Sequence, residues 1–135
     1  MEKSSDERMN LYGMNFSITN FDDSFKKIRE YHNSFPNYVC FPSTNIVAKI
    51  QGNSYLMKIF NDSYLTIPDG QVTEMYAKSK GIKKLKTTSG YSLLKKLLNT
   101  DSTHFFYGVD SITLKKIKKI IDTDYPQAKV LGYLS

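Results

Sequence analysis

Tyr64-Leu65-Thr66-Ile67-Pro68-Asp69-Gly70-Gln71-Val72 is the stretch that decides the fold of this 135-residue chain. Residues 64–67 are apolar and β-prone, which predicts a strand. Pro68 has no N–H to give to a ladder, and Asp-Gly is a common turn pair. Val72, Met75 and Tyr76 then recur at helical spacing. The unit is therefore strand, polar turn, helix.

The same grammar recurs on both sides of it. Upstream, Tyr38 to Phe41 predicts a strand that stops at Pro42-Ser43-Thr44-Asn45. A helix follows, with Ile46, Val47 and Ile50 and then Leu56, Ile59 and Phe60 on its buried side, interrupted near Gly52-Asn53. Before that, Gly13 to Ile18 predicts a short strand leading to a helix capped near Asn20 or Asp22 and ending before Pro36. Downstream, Thr87-Thr88-Ser89-Gly90 precedes a helix with an inner stripe of Leu93, Leu94, Leu97 and Leu98. His104 to Tyr107 predicts a strand ending at Gly108, Asp110 or Ser111 caps the next helix, and Ala128 to Tyr133 predicts a last strand. Strands alternating with helices at this spacing predict an α/β fold, a Rossmann-like and mostly parallel sheet with helices on both faces. Residues 1–10 are expected as a flexible tail and 11–135 as one domain.

Composition excludes several classes. Hydrophobic residues make up 40% and charged residues 24%, globular values that argue against wholesale disorder. The +6 net charge suits anionic partners. The basic residues gather at Lys78 to Lys86 and Lys115 to Lys119, and all but Arg8 and Arg29 are Lys, which is poorly suited to bidentate recognition of bases. Two solvated faces or a functional anionic surface both fit this pattern. No nucleic-acid partner is expected. Cys40 is the single cysteine, which excludes an internal disulfide and points to a reducing compartment. The opening MEKSSDERMN has no apolar leader core, and no apolar run reaches the roughly 20 residues of a spanning helix. Any membrane contact is expected to be peripheral.

Parallel sheets bind ligands beyond the carboxyl ends of their strands, which singles out Ser43-Thr44-Asn45, Asp69-Gly70 and Gly108. Asp69 is placed either as a proton acceptor for an attacking hydroxyl or as an ordinary turn aspartate. Ser43, Thr44 and Asn45 suit sugar hydroxyls, an acetamido group or phosphate oxygens, and equally suit a helix cap. Thr87 to Gly90 stands before a helix start, either as small donors facing an anion or as a plain cap. His32 and His104 lack partners at metal spacing, and Cys40 lies inside an apolar run. No phosphate-loop, dinucleotide, zinc-protease or nucleophile-elbow motif is present.

Taken in order, Gly13-Met14, Ser43-Thr44-Asn45, Ile67-Pro68-Asp69-Gly70, Thr88-Ser89-Gly90, Phe105-Phe106-Tyr107-Gly108, Tyr125-Pro126 and Gly132-Tyr133 resemble the WecG/TagA/CpsF family of bacterial glycosyltransferases. The resemblance spans roughly residues 11 to 134. It implies inverting transfer of an N-acetylmannosamine-type sugar from a UDP-sugar to a polyprenyl-diphosphate-linked acceptor at the membrane surface, in teichoic acid or other cell-surface polysaccharide synthesis. It implies no cofactor and no metal. On it, Asp69 is the catalytic base, and the hydroxyl and amide of a Thr-x-Asn turn in the substrate pocket map onto Ser43 and Asn45; Thr44, Gly70, Ser89, Gly90 and Gly108, from their places at strand ends and helix starts, are expected to bind substrate with them. Ser43 replaces the family's Thr, and Ser92 and Val109 depart from its pattern. The resemblance further implies a cytoplasmic protein, peripheral at the inner face of the membrane, with homo-oligomerisation left open. It also implies more chain beyond Ser135, carrying nucleotide contacts and membrane attachment. The alternative expectation is a non-catalytic nucleotide- or partner-binding α/β remnant.

Overall fold

The computed structural model of the chain describes residues 7–32 and 34–135. It is a mixed α/β structure that divides after Gly90 into two compact units.

The first unit opens with a hairpin of β1 (Arg8–Leu11) and β2 (Met14–Ser17), paired antiparallel with Leu11 opposite Met14. Its two-residue turn holds Tyr12 at φ 50° and Gly13 at φ 88°, the two positive values that match the twist of a tight hairpin. The Gly13 N–H donates to Asn10 Oδ1 at 3.2 Å. Residues 8–10 were expected in a tail, and residues 1–6 of that tail lie outside the described residues. The correction has a clear cause: Met9 and Leu11 are buried with Met14 and Phe16, so the alternation hidden in Arg-Met-Asn-Leu belongs to a strand. Arg8 is half-buried, and its guanidinium donates to the carbonyls of Asn15 (3.2 Å), Asn61 (3.4 Å), Ser63 (2.6 Å) and Tyr64 (3.1 Å) and to Thr66 Oγ1 (3.3 Å).

Helix α1 (Phe21–Arg29) is capped by Asn20, whose side chain accepts from the Asp23 N–H at 3.0 Å. Strand β3 (Val39–Cys40) follows. The apolar stretch after it is two helices, α2 (Thr44–Lys49) and α3 (Ser54–Asp62). Gly52, at φ 79°, makes the break, and Asn53 caps α3 by accepting from the Leu56 N–H. Strand β4 (Leu65–Thr66) lies parallel to β3, Val39 opposite Leu65 and Cys40 opposite Thr66. Pro42 has no N–H to return to β4. β2 runs beside β4, where the Thr66 N–H donates to Ser17 Oγ at 3.0 Å. Helix α4 (Gln71–Ser79) completes the strand, turn, helix unit. The core of this unit joins Met14, Phe16, Val47, Ile50, Ala77 and Leu85.

Helix α5 (Gly90–Leu98) begins where the chain divides. The second unit contains β5 (Thr103–Tyr107), α6 (Ser111–Asp124) and β6 (Lys129–Leu134), a strand, helix, strand crossover with β5 and β6 parallel. Asp110 caps α6 through Oδ1, which accepts the N–H groups of Ile112 and Thr113, both at 2.9 Å. Gly132 lets the strands close, since a Cβ there would stand 2.7 Å from the Phe105 ring. Phe106 and Tyr133 stack across the pair with centroids 5.5 Å apart. Parallel pairing is thus confined to β3 with β4 and β5 with β6, and the remaining ladder among the described residues is antiparallel.

Candidate functional site

Three turns of the first unit converge beyond the carboxyl ends of β3 and β4. The parallel pairing continues past the strands: the Ile67 N–H donates to Cys40 O at 2.8 Å, and the Asp69 N–H to Pro42 O at 3.1 Å. On the other side of the Asp69 turn, the Thr88 N–H donates to Pro68 O at 3.2 Å, and Thr87 Oγ1 to Gly70 O at 2.9 Å. Gly90 sits against Phe41, where a Cβ would meet the ring at 3.3 Å. The turns carrying Ser43, Thr44 and Asn45, then Asp69 and Gly70, then Ser89 and Gly90 are therefore bound to one another by backbone and close packing. Ile67 and Pro68 beneath them are fully buried. Gly108 belongs to the second unit, where it follows β5 at φ 118° and its N–H donates to Leu134 O at 3.0 Å.

The polar groups presented by these turns are largely unspent. Asp69 is exposed, and its carboxylate makes no hydrogen bond or ion pair among the described residues. Ser43 takes the N-cap position of α2, yet its hydroxyl makes no capping bond; the cap runs through its carbonyl, which accepts from Ile46 and Val47. The side chains of Thr44, Asn45 and Ser89 also have no hydrogen-bond partner among the described residues. Thr88 is 2% exposed, and its Oγ1 is buried without a partner among the described residues, a costly state for a hydroxyl unless something meets it.

Gly70 supplies the backbone that this arrangement requires. Its φ of 114° and ψ of 149° fall in the region that is essentially restricted to glycine. As N-cap of α4 it offers no side chain, so the first-turn N–H groups of that helix are left without a side-chain cap. Beside the two turns, Thr44 of α2 and Val72 of α4 help to line an open, mostly apolar pocket of about 510 Å³. Leu11 and Tyr12 of the hairpin, Val47 and Tyr76 form other parts of its wall.

Glu74, one turn into α4, was not singled out by the sequence. Its Oε2 accepts the Thr87 N–H at 3.0 Å, and its Oε1 accepts from Lys86 Nζ at 3.1 Å and Lys78 Nζ at 2.9 Å. The Thr87 N–H first, and then the two ammonium groups, hold its carboxyl down at about 2. Cys40 is half-buried, and burial pushes its thiol up despite a hydrogen bond from Ser63. A raised thiol is a poor nucleophile. His32 is exposed, and His104 is a half-buried β5 residue whose Nε2 has no partner. Among the described residues, no group of three or more His, Cys, Asp or Glu is placed to hold a metal ion. No helix of the described residues is long and apolar enough to cross a membrane.

A carboxylate at the mouth of a parallel strand pair, with free hydroxyls and an amide on the neighbouring turn, can accept a proton from a hydroxyl and hydrogen-bond to others. The whole chain from residue 9 to residue 135 matches the Glycosyl transferase WecG/TagA/CpsF family, and the protein belongs to that family. No curated protein matches the chain.

Proposed function

We propose that the chain transfers an N-acetylmannosamine-type sugar from a UDP-sugar to a polyprenyl-diphosphate-linked acceptor, with Asp69 as general base. The observation that carries this reading is the exposed, unpartnered Asp69 carboxylate on a turn held rigidly by two flanking turns. In the reaction, the acceptor hydroxyl oxygen bonds to the anomeric carbon as its proton passes to Asp69. The bond from that carbon to the diphosphate oxygen breaks with its electron pair, and UDP leaves. Attack opposite to the leaving group inverts the anomeric centre.

Ser43, Thr44 and Asn45 are assigned to the sugar, because their side-chain donors and acceptors are free. Gly70, Ser89 and Gly90 are assigned to the substrate approach; at Gly70 and Gly90 the backbone carries no Cβ. Gly108 is assigned to donor binding on the family resemblance. The frame we attach to this reading is Rossmann-like, supported by two parallel strand pairs, each joined through helix. The product is assigned to cell-surface polysaccharide or teichoic acid synthesis at the inner face of the membrane, with peripheral attachment, because the acceptor carries a lipid.

The test is a transfer assay with UDP-N-acetylmannosamine and a lipid-diphosphate acceptor, with UDP-glucose in a parallel reaction. The reading expects transfer from the first donor, with inverted linkage in the product. Equal transfer from both donors would remove the assignment of Ser43, Thr44 and Asn45 to the acetamido sugar.

A further inference from the structure

We propose that Glu74 is a positioning residue that holds the Asp69-Gly70 turn in place through Thr87. The inference rests on the reading of that turn as the catalytic one. Gly70 gives the turn its unusual backbone conformation but no stiffness, since a residue without a Cβ leaves its backbone free to adopt other conformations. Stiffness must come from outside the turn, and Thr87 provides it from two groups of one residue. Its hydroxyl donates to Gly70 O at 2.9 Å and its N–H donates to Glu74 Oε2 at 3.0 Å. The first turn of α4 is thereby gripped at its cap and at its fourth residue by the same partner.

The neighbouring N–H groups fix Thr87 itself in register. Lys86 N–H donates to Thr19 O at 2.8 Å and Thr88 N–H to Pro68 O at 3.2 Å. The Thr87 N–H points the other way along this extended segment, and Glu74 is the acceptor it meets. Lys78 from the same helix and Lys86 from the facing segment hold the carboxylate in that orientation. The side chain of Glu74 is only 18% exposed, against 52% and 44% for the two lysines, so the contact to Thr87 is the sheltered one and the ion pairs are its outer braces.

Amide hydrogen exchange on the full chain tests this independently of transfer. Glu74→Ala is expected to speed exchange at Thr87, Asp69 and Thr88, whose N–H groups are all hydrogen-bonded, by about tenfold, because the local opening that frees them loses an anchoring bond. Glu74→Gln retains an oxygen acceptor for the Thr87 N–H and is expected to stay within about threefold of the native protein at all three amides. Thr87→Val removes the bond to Gly70 while retaining the Thr87 N–H, so it reproduces the effect at Asp69 and Thr88 even if Glu74→Ala fails to fold. In turnover, Glu74→Ala should lower kcat by about tenfold with the donor KM within about twofold, and Glu74→Gln should restore kcat.

Unchanged exchange at Asp69 and Thr88 in Glu74→Ala, or in Thr87→Val where the alanine variant is unfolded, would overturn the proposal. So would a Glu74→Gln variant as impaired as the alanine one, or an effect on KM alone. Full turnover by Asp69→Asn would instead remove the base assignment while leaving the exchange result standing, so the two failures are distinguishable.

Discussion

Replacing Gly70 by alanine should destabilise the protein even though the site has ample room for the added methyl group. A Cβ built there meets nothing within 4 Å, so no clash contributes. The cost comes from the backbone, whose φ of 114° and ψ of 149° carry a penalty of about 1–3 kcal/mol for a residue with a Cβ. If the chain relaxes to a negative φ instead, the Gly70 carbonyl turns away from Thr87 Oγ1, and roughly 0.5–1.5 kcal/mol of hydrogen bonding is lost. The two routes together bracket a loss of about 0.5–3 kcal/mol. The assay is urea unfolding followed by circular dichroism, with Gly52 and Gly81 as internal comparisons. Those two also have open surroundings but sit at φ 79°, near the left-handed region that asparagine tolerates. Gly52→Asn and Gly81→Asn should therefore each cost less than about 1 kcal/mol, whereas Gly70→Asn should be as damaging as Gly70→Ala. Gly70→Asn with the stability of the native protein would refute the claim that this turn demands glycine.

Two further outcomes follow from side chains whose partners are known. Arg8→Met removes a guanidinium shared by four carbonyls and a hydroxyl, and should cost about 2–4 kcal/mol in the same unfolding assay; a loss below about 0.5 kcal/mol would show those bonds to be replaceable by water. The Glu74 carboxyl is held at about 2 in the folded protein against 4.5 for a free glutamate, so its contribution is fully present above pH 4.5 and fades as pH falls through that window towards 2. Glu74→Gln should flatten this part of the stability profile by roughly 1–3 kcal/mol, less than the shift alone implies because the paired lysines are partly exposed. An unchanged slope between those pH values would contradict the assigned hydrogen bonds.

Much of the architecture could be read from local pattern. The strand, turn, helix units ending at Ser43, Asp69 and Gly108 are where periodicity placed them, and Asn20 and Asp110 cap the helices expected of them. Local signals failed where tertiary contact decides. Arg-Met-Asn-Leu looks polar, and its turn lacks an Asn-Gly pair, because Tyr12 occupies the positive-φ position usually given to Asn or Gly. The break in the apolar stretch after Asn45, by contrast, was legible, and Gly52 makes it where Gly-Asn marked it. Of the two roles open to Ser43, it takes the cap by its carbonyl and leaves its hydroxyl free, a distinction no residue type conveys. Glu74 carries no motif at all; its role depends on Thr87 arriving from thirteen residues away. Spacing likewise predicted a mostly parallel sheet, and the parallel pairing occurs as two separate two-stranded ladders, β3 with β4 and β5 with β6.

The central claim is tested most directly by the turnover number of Asp69→Asn with UDP-N-acetylmannosamine and a lipid-diphosphate acceptor, compared with the native chain. Asparagine keeps the shape of the side chain and removes its basicity. Because the Asp69 carboxylate has no structural partner among the described residues, the variant should fold with unchanged stability. The account predicts a fall in kcat of about 10²–10⁴-fold, the usual contribution of a positioned general base, with little change in donor KM. Turnover within about threefold of the native rate, in a folded variant, would contradict it.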